Sequence, residues 1–111
     1  MAAKIIHVEV TGDDGGKLQE FYRGAFGWEF NTDNPGGYGL VRQGEMTGGV
    51  GAAAPGQDGR VTLYVHADDP AGTLKRVEEL GGRVLMPLTE VAPETTIALF
   101  ADPEGHVIGL M

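Results

Sequence analysis

The chain has 111 residues, no cysteine and a formal net charge of −8. That length supplies one modest hydrophobic core, and the lack of thiols excludes disulfides, thiolate metal sites and a cysteine nucleophile. The acidic balance argues against a nucleic-acid partner, which requires clustered Lys and Arg, and it favours cationic ligands. Since no stretch approaches about 18 apolar residues and the start lacks a signal-peptide pattern, we expect a cytoplasmic protein that does not bind membranes.

The first half of the chain predicts one strand, one helix and three further strands. Alternation of apolar and polar residues predicts the first strand at residues 4–10. An aspartate after the turn at Thr11 and Gly12 is a helix-capping residue, so a helix is predicted from there to about Phe26, with Gly27 as its stop. Further strands are predicted at residues 28–30, 38–43 and 48–54, between glycine-rich turns.

The second half repeats this order about 55 residues later. Residues 61–66 alternate like the first strand, and Asp69 followed by Pro70 is a strong helix start. The glycine pair at residues 81–82 ends that helix, and a proline- and glycine-containing turn at residues 102–105 predicts a tight hairpin. The remaining strands are predicted at residues 83–88, 95–101 and 106–111.

The repeat predicts an α+β fold in which a βαβββ module occurs twice within one domain, residues 1–111. The first module covers about residues 1–54, the linker residues 55–59, and the second module about residues 60–111. Neither half is large enough to close its own core, so the halves should depend on each other or on a second subunit.

The first strand of each module has one apolar and one polar face. The apolar faces comprise Ile6, Val8, Val10, Val61, Leu63 and Val65. We expect these faces to lie under the helices. The opposite faces carry His7 and Glu9 in the first module and Thr62 and Tyr64 in the second. These four residues are predicted to line a concave cleft that binds a small molecule.

Three segments resemble one known family: HVEV, KLQEFYRGAFGWEF and LFADPEGHVIGLM. They are similar to the vicinal oxygen chelate superfamily, which contains glyoxalases, extradiol dioxygenases, bleomycin-resistance proteins and fosfomycin-resistance enzymes. The resemblance covers essentially the whole chain and is closest to short single-domain members related to lactoylglutathione lyase. It implies an open, eight-stranded mixed sheet or barrel with a concave cleft, usually in a homodimer.

The resemblance also implies four positions for metal ligands, on the first and last strand of each module. His7 matches the first position, and Thr62 is the equivalent residue of the second module. Residues 48–54 contain no Asp, Glu or His, and Gly109 stands where metal-binding relatives tend to carry Glu. Even with Glu9 beside His7, the set has two donors, whereas catalytic zinc generally uses three protein ligands. We therefore expect no cofactor, with a divalent metal as the open alternative.

Each candidate residue has a functional and a structural interpretation. His7 is suited to proton transfer near neutral pH or to a polar place in the cleft, and Glu9 to a general base or a solvated strand position. Tyr64 is suited to stacking on a ligand or to packing. His66 and His106 are interpreted as surface residues beside a helix start and a turn, respectively.

Two functions from different classes remain open. The favoured hypothesis is a small-molecule-binding protein of the glyoxalase and bleomycin-resistance type without the usual metal site. The alternative is a metal-dependent lyase or isomerase, similar to lactoylglutathione lyase, or a dioxygenase, acting on a small oxygenated substrate. His7 and Glu9 are the catalytic candidates in that case, and whether the protein is an enzyme stays open.

Overall fold

The computed structural model describes residues 2–111, which contain two helices and seven strands. The elements are β1 (Ile5–Gly12), α1 (Gly15–Phe26), β2 (Gly39–Gln43), β3 (Met46–Ala52), β4 (Val61–Val65), α2 (Pro70–Glu79), β5 (Arg83–Ala92), β6 (Thr95–Ala101) and β7 (Val107–Leu110). The chain divides into two compact units. The first unit is His7–Thr62, and the second unit is residues 2–6 with Leu63–Met111. In the described part of the chain, neither helix has the length and apolar character needed to cross a membrane.

In the first unit the strands lie in the order β2-β3-β1. The β1 and β3 strands are parallel, with Val10 opposite Val50, whereas β2 and β3 are antiparallel. The side chain of Asp14 caps α1 by accepting a hydrogen bond from the Lys17 amide at 3.0 Å. At its other end, Gly27 adopts the left-handed conformation (φ 69°) that glycine accepts most readily.

The α1 helix packs on the apolar face of β1 and β3. A Cβ atom added at Gly12, which shares a face with Val10, would lie 2.8 Å from Cδ1 of Leu18. The Gln19 amide, on the same helix, donates to the Val50 carbonyl at 2.8 Å. The predicted position of this apolar face is confirmed, and the face that carries His7 points the other way.

In the second unit the strands lie in the order β4-β7-β6-β5, with β4 and β7 parallel and the other neighbours antiparallel. Asp69 caps α2 by accepting from the Gly72 amide at 3.1 Å. The core under α2 is formed by Leu74, Ala98 and Leu110, with partly buried Val65, Ala67, Val84 and Phe100 packed against it. Val65 therefore faces the helix as predicted.

The α+β fold is confirmed, and the second half has the predicted βαβββ order. The prediction of eight strands is wrong, because residues 28–30 form no strand and the only pairing nearby is an isolated bridge between Asn31 and Leu40. The reason lies in the aromatic rings. Trp28 stacks on Tyr22 at 5.7 Å between ring centroids and meets Phe30 edge to face at 6.3 Å. Those contacts hold the segment against α1 instead of in a ladder.

One expected burial is also wrong. Val61, the first residue of β4, is 69% exposed, so the apolar face of that strand does not extend to its beginning. The module boundaries predicted from the repeat stay a prediction. The compact units divide the chain after Ile6 and after Thr62, within β1 and β4.

Candidate functional site

His7 is held between two hydroxyl groups. Its Nδ1 atom lies 2.6 Å from Oγ1 of Thr47 and its Nε2 atom 2.9 Å from the Tyr38 hydroxyl. The side chain is buried, and burial holds the pKa of His7 below its ordinary value, while the charge of Glu9 offsets part of that effect. The imidazole is therefore neutral at pH 7, with one nitrogen as donor and the other as acceptor. Both of its hydrogen-bonding positions are used.

The backbone around Tyr38 is fixed by two amide side chains. The Asn34 amide donates to the Tyr38 carbonyl at 2.8 Å and accepts from the Tyr38 amide at 2.9 Å. The Gln19 amide, which is buried, donates to the carbonyls of Gly37 and Val50 at 3.0 and 2.8 Å. Hydrogen bonds within the segment before β2, and from Gln19 to that segment and to β3, thus fix the backbone of Tyr38. The fixed backbone in turn positions the phenol ring.

In each unit a tyrosine ring covers a glycine of a strand. A Cβ atom at Gly49 would overlap the hydroxyl of Tyr38, and one at Gly109 would overlap the ring of Tyr64. Within each unit, glycine is required because the ring occupies the space of a side chain. Gly49 lies in β3, the strand that carries no Asp, Glu or His. Gly109 lies in β7, at the position where the family resemblance implies an acidic metal ligand.

The residues present do not fit a divalent metal of the family type. Both nitrogens of His7 are engaged, and Oγ1 of Thr62 accepts a hydrogen bond from Nε of Arg60 at 3.1 Å. A tyrosine ring fills the place of a side chain at Gly109. Across residues 2–111, no three His, Asp or Glu side chains come together in an arrangement that could hold a metal ion.

A hollow of about 320 Å³ lies beside β2 in the first unit. We call it the β2 hollow, and it is lined by Glu29, Asn31, Leu40, Val41, Arg42 and Thr47. Arg42 is paired with Thr47 across the ladder, so both lie on the face that carries His7. The hydroxyl of Thr47 connects the hollow to His7 through the 2.6 Å contact. Its size is at the lower end of the range for small-molecule sites.

The four residues predicted to form the cleft have different surroundings. His7, Glu9 and Thr62 belong to the first unit and Tyr64 to the second. His7, Thr62 and Tyr64 are buried, and Glu9 is partly buried. Their assembly into one site stays a prediction. His66 and His106 are exposed surface residues, as expected.

Sequence reasoning missed Tyr38, Thr47 and Arg42 as site residues. Thr47 and Gly49 alternate with Gly48 and Val50, which is a signal of two distinct faces. That signal identifies the face of His7 only once β1 is known to lie parallel to β3. The contact between His7 and Tyr38 joins residues 31 positions apart, and no local pattern predicts it.

Most of the chain matches a known domain family. A family model described as a glyoxalase-like domain matches residues 7–111. The chain is 29% identical over 113 aligned positions to CFP32 of Mycobacterium tuberculosis and of Mycobacterium bovis, each named provisionally as a glyoxylase. The match covers 93% of this chain but 43% of those proteins, so the chain spans less than half the length of these relatives.

Solved structures agree on the fold. A glyoxalase/bleomycin resistance protein/dioxygenase superfamily member from Vibrio splendidus aligns with a TM-score of 0.67 at 15% identity, covering 98% of this chain and 97% of that one. Methylmalonyl-CoA epimerase from Mycobacterium tuberculosis aligns with a TM-score of 0.69 at 16% identity, covering 96% and 85%. The match to the family model confirms the resemblance found in the sequence.

Proposed function

The chain belongs to the glyoxalase-like domain family, and we propose that it is a small-molecule-binding member that works without a divalent metal. One observation carries the proposal. The only residue that matches a family ligand position, His7, has both ring nitrogens hydrogen-bonded to the hydroxyls of Thr47 and Tyr38. A metal would have to break one of these contacts and would still lack the three protein ligands typical of a catalytic site.

The β2 hollow is the place where the ligand binds under this proposal. Thr47 presents a hydroxyl that His7 orients, and Arg42 offers a planar guanidinium group with several donors. Leu40 is 42% exposed and supplies an apolar surface. A few polar groups around an apolar surface are the usual composition of a small-molecule site, where the polar groups fix the ligand's orientation.

The alternative is a metal-dependent lyase, isomerase or dioxygenase. It requires donors that the present arrangement does not offer, because glycines stand at two strand positions and Thr62 is bonded to Arg60. We therefore derive no reaction step through a metal. Glu9 and His7 remain candidates for proton transfer, and the neutral state of His7 suits an acceptor more than a donor.

A ligand screen by two-dimensional NMR on isotope-labelled protein tests the proposal. Hits should shift the amide signals of Leu40, Arg42 and Thr47, and a chelator should leave their affinities unchanged. Thr47→Val should weaken binding about fivefold, the loss expected for one hydrogen bond of modest strength. Thr96→Val, at an exposed threonine of β6, is the matched control and should bind normally.

Two results would overturn the proposal. The first is binding that requires one equivalent of metal and is lost in His7→Ala. The second is a set of hits that shift only signals of α1 and α2, because the ligand would then lie on the helical side of the sheet.

We also propose a homodimer, as the family resemblance implies. Large exposed apolar side chains support it, including Phe21 and Phe26 on α1 at 64% and 61% exposure. Light scattering at micromolar concentration should give twice the 11.7 kDa mass of the chain, and a mass near one chain would contradict the proposal. The cytoplasmic location expected from the sequence is likewise a prediction, which cell fractionation would test.

A further inference from the structure

The β2 hollow carries one charge of each sign. Glu29 and Arg42 both line it, and both side chains are exposed. Within residues 2–111, no ion pair joins the two. Opposite charges that face one hollow without neutralising each other are both available to a ligand.

The separation of these two charges has a structural cause. The bridge between Asn31 and Leu40 is antiparallel, so a continued ladder would place Glu29 directly opposite Arg42. Directly opposed residues in such a ladder have Cβ atoms about 4.5–5.5 Å apart, close enough for an ion pair. The ladder stops instead, because the ring of Trp28 is packed against α1. Glu29 and Arg42 therefore line the hollow without a ladder that would pair them.

The rest of the hollow limits the ligand further. Leu40 and the hydroxyl of Thr47 line the same space as the two charged groups. A ligand that reaches both charges within about 320 Å³ is small and has an apolar part that can contact Leu40. A ligand with no net charge also avoids long-range repulsion from a chain of net charge −8, which an anion would experience.

We propose that the β2 hollow binds a small zwitterion of the amino-acid type, with a carboxylate on Arg42 and an ammonium group on Glu29. The inference rests on the proposed function and specifies the class of its ligand. The planar guanidinium of Arg42 can donate two parallel hydrogen bonds to a carboxylate. The carboxylate of Glu29 accepts from the ammonium group, so a zwitterion neutralises both charges of the hollow, whereas a ligand with a single charge neutralises one.

Three probes that share one apolar body test this proposal. L-leucine carries both charges, 4-methylpentanoate carries only the carboxylate, and 3-methylbutylamine carries only the ammonium group. Titration of the full chain by two-dimensional NMR should show L-leucine shifting the signals of Leu40, Arg42 and Thr47. Its affinity should exceed that of either singly charged probe by about tenfold, the contribution of one charge-assisted hydrogen bond.

Charge-removing variants then identify the two contacts. Glu29→Gln should reduce the affinity for L-leucine to that for 4-methylpentanoate, and Arg42→Gln should reduce it to that for 3-methylbutylamine. Glu45→Gln, at an exposed carboxylate in the turn between β2 and β3, is the matched control and should leave the affinity unchanged. Equal affinities for all three probes, or L-leucine binding that neither hollow variant weakens, would overturn the proposal.

Failure of this proposal can be told apart from failure of the proposed function. If L-leucine shifts no signal of the hollow while other screened molecules do, the zwitterion is wrong and small-molecule binding stands. If every hit requires a metal or shifts only the helices, the proposed function is wrong, and the zwitterion proposal is overturned with it.

Discussion

Both halves of the chain begin with a strand followed by a helix, and they differ after the helix. In the second half, β5 starts at Arg83, soon after α2 ends at Glu79, and pairs with β6. In the first half α1 ends at Phe26, and β2 begins only at Gly39. The intervening residues carry the aromatic cluster, Glu29 and Tyr38, and the β2 hollow lies beside them. The candidate site is thus located where the first half departs from the order of elements seen in the second half.

The tyrosine-on-glycine packing offers the largest expected difference between the halves. In Gly109→Ala the new methyl group overlaps Cδ2, Cε2 and Cγ along one side of the Tyr64 ring, and Tyr64 is 5% exposed, so its neighbours leave the ring little room to move. In Gly49→Ala it meets the far end of Tyr38, which is only partly buried. We expect urea unfolding to show a loss of about 3 kcal/mol for Gly109→Ala and about 1–2 kcal/mol for Gly49→Ala.

The helical Gly24 provides the control for this pair. No atom lies within 4 Å of a Cβ added there, so Gly24→Ala should stabilise the protein by about 0.5–1 kcal/mol through helix propensity. Equal losses at Gly49 and Gly109 would mean that the two rings are held equally tightly. Such a result would contradict the expectation that Tyr64 is fixed and that Tyr38 can move.

Removal of the Tyr38 hydroxyl tests whether the His7 contacts belong to the site. Tyr38→Phe keeps the ring but leaves Nε2 of His7 without its 2.9 Å contact. We expect a loss of about 1–2 kcal/mol in the free energy of unfolding, because a buried polar atom loses a partner. The histidine NMR spectrum should also show a changed tautomer population for His7. Tyr22→Phe, on α1, is the matched control and should leave the His7 signals unchanged.

The smallest expected effect is a pH dependence of stability in the first unit. The folded-state pKa of His7 lies below its ordinary value of 6.5, so the unfolded chain binds a proton more readily than the folded chain does. This contribution to stability is complete above pH 6.5 and is lost as the pH falls through the folded-state pKa. Unfolding midpoints measured from about pH 7.5 to 5.5 should decline, and His7→Asn should flatten that decline.

The second half supplies the comparison for this measurement too. His66→Asn, at an exposed histidine of the second unit, is the control for the general effect of removing a histidine, because it leaves the buried ring of His7 in place. If the unfolding midpoint of His7→Asn still declines as the pH falls, other groups cause the pH dependence and the burial of His7 does not.

Local patterns were sufficient for the elements whose partners are close in sequence. Asp14 and Asp69 cap the two helices as predicted, because a capping carboxylate needs only the amide three residues ahead. Gly27 ends α1, and the turn at Asp102 closes through the amide of Gly105, both of which depend on backbone conformation within a few residues.

Strand alternation likewise predicted which face each helix covers in its own unit. Val10 lies on the side of α1, and Val65 lies under Leu74 of α2. Alternation has a period of two and is set by the strand itself, so it can be read without knowing the neighbouring strands. The family was also readable from three segments of the sequence, and the family model matches residues 7–111.

The site depended on contacts that only the tertiary structure determines. Whether residues 28–30 join a ladder was decided by the rings of Trp28 and Tyr22, because aromatic packing against α1 replaces the hydrogen bonds that a strand would make there. As a result no ladder pairs Glu29 with Arg42, and both residues line the β2 hollow. Strand propensity describes the conformation that a segment favours by itself. It does not say which side chains from elsewhere in the chain will pack against that segment and prevent it from joining a sheet.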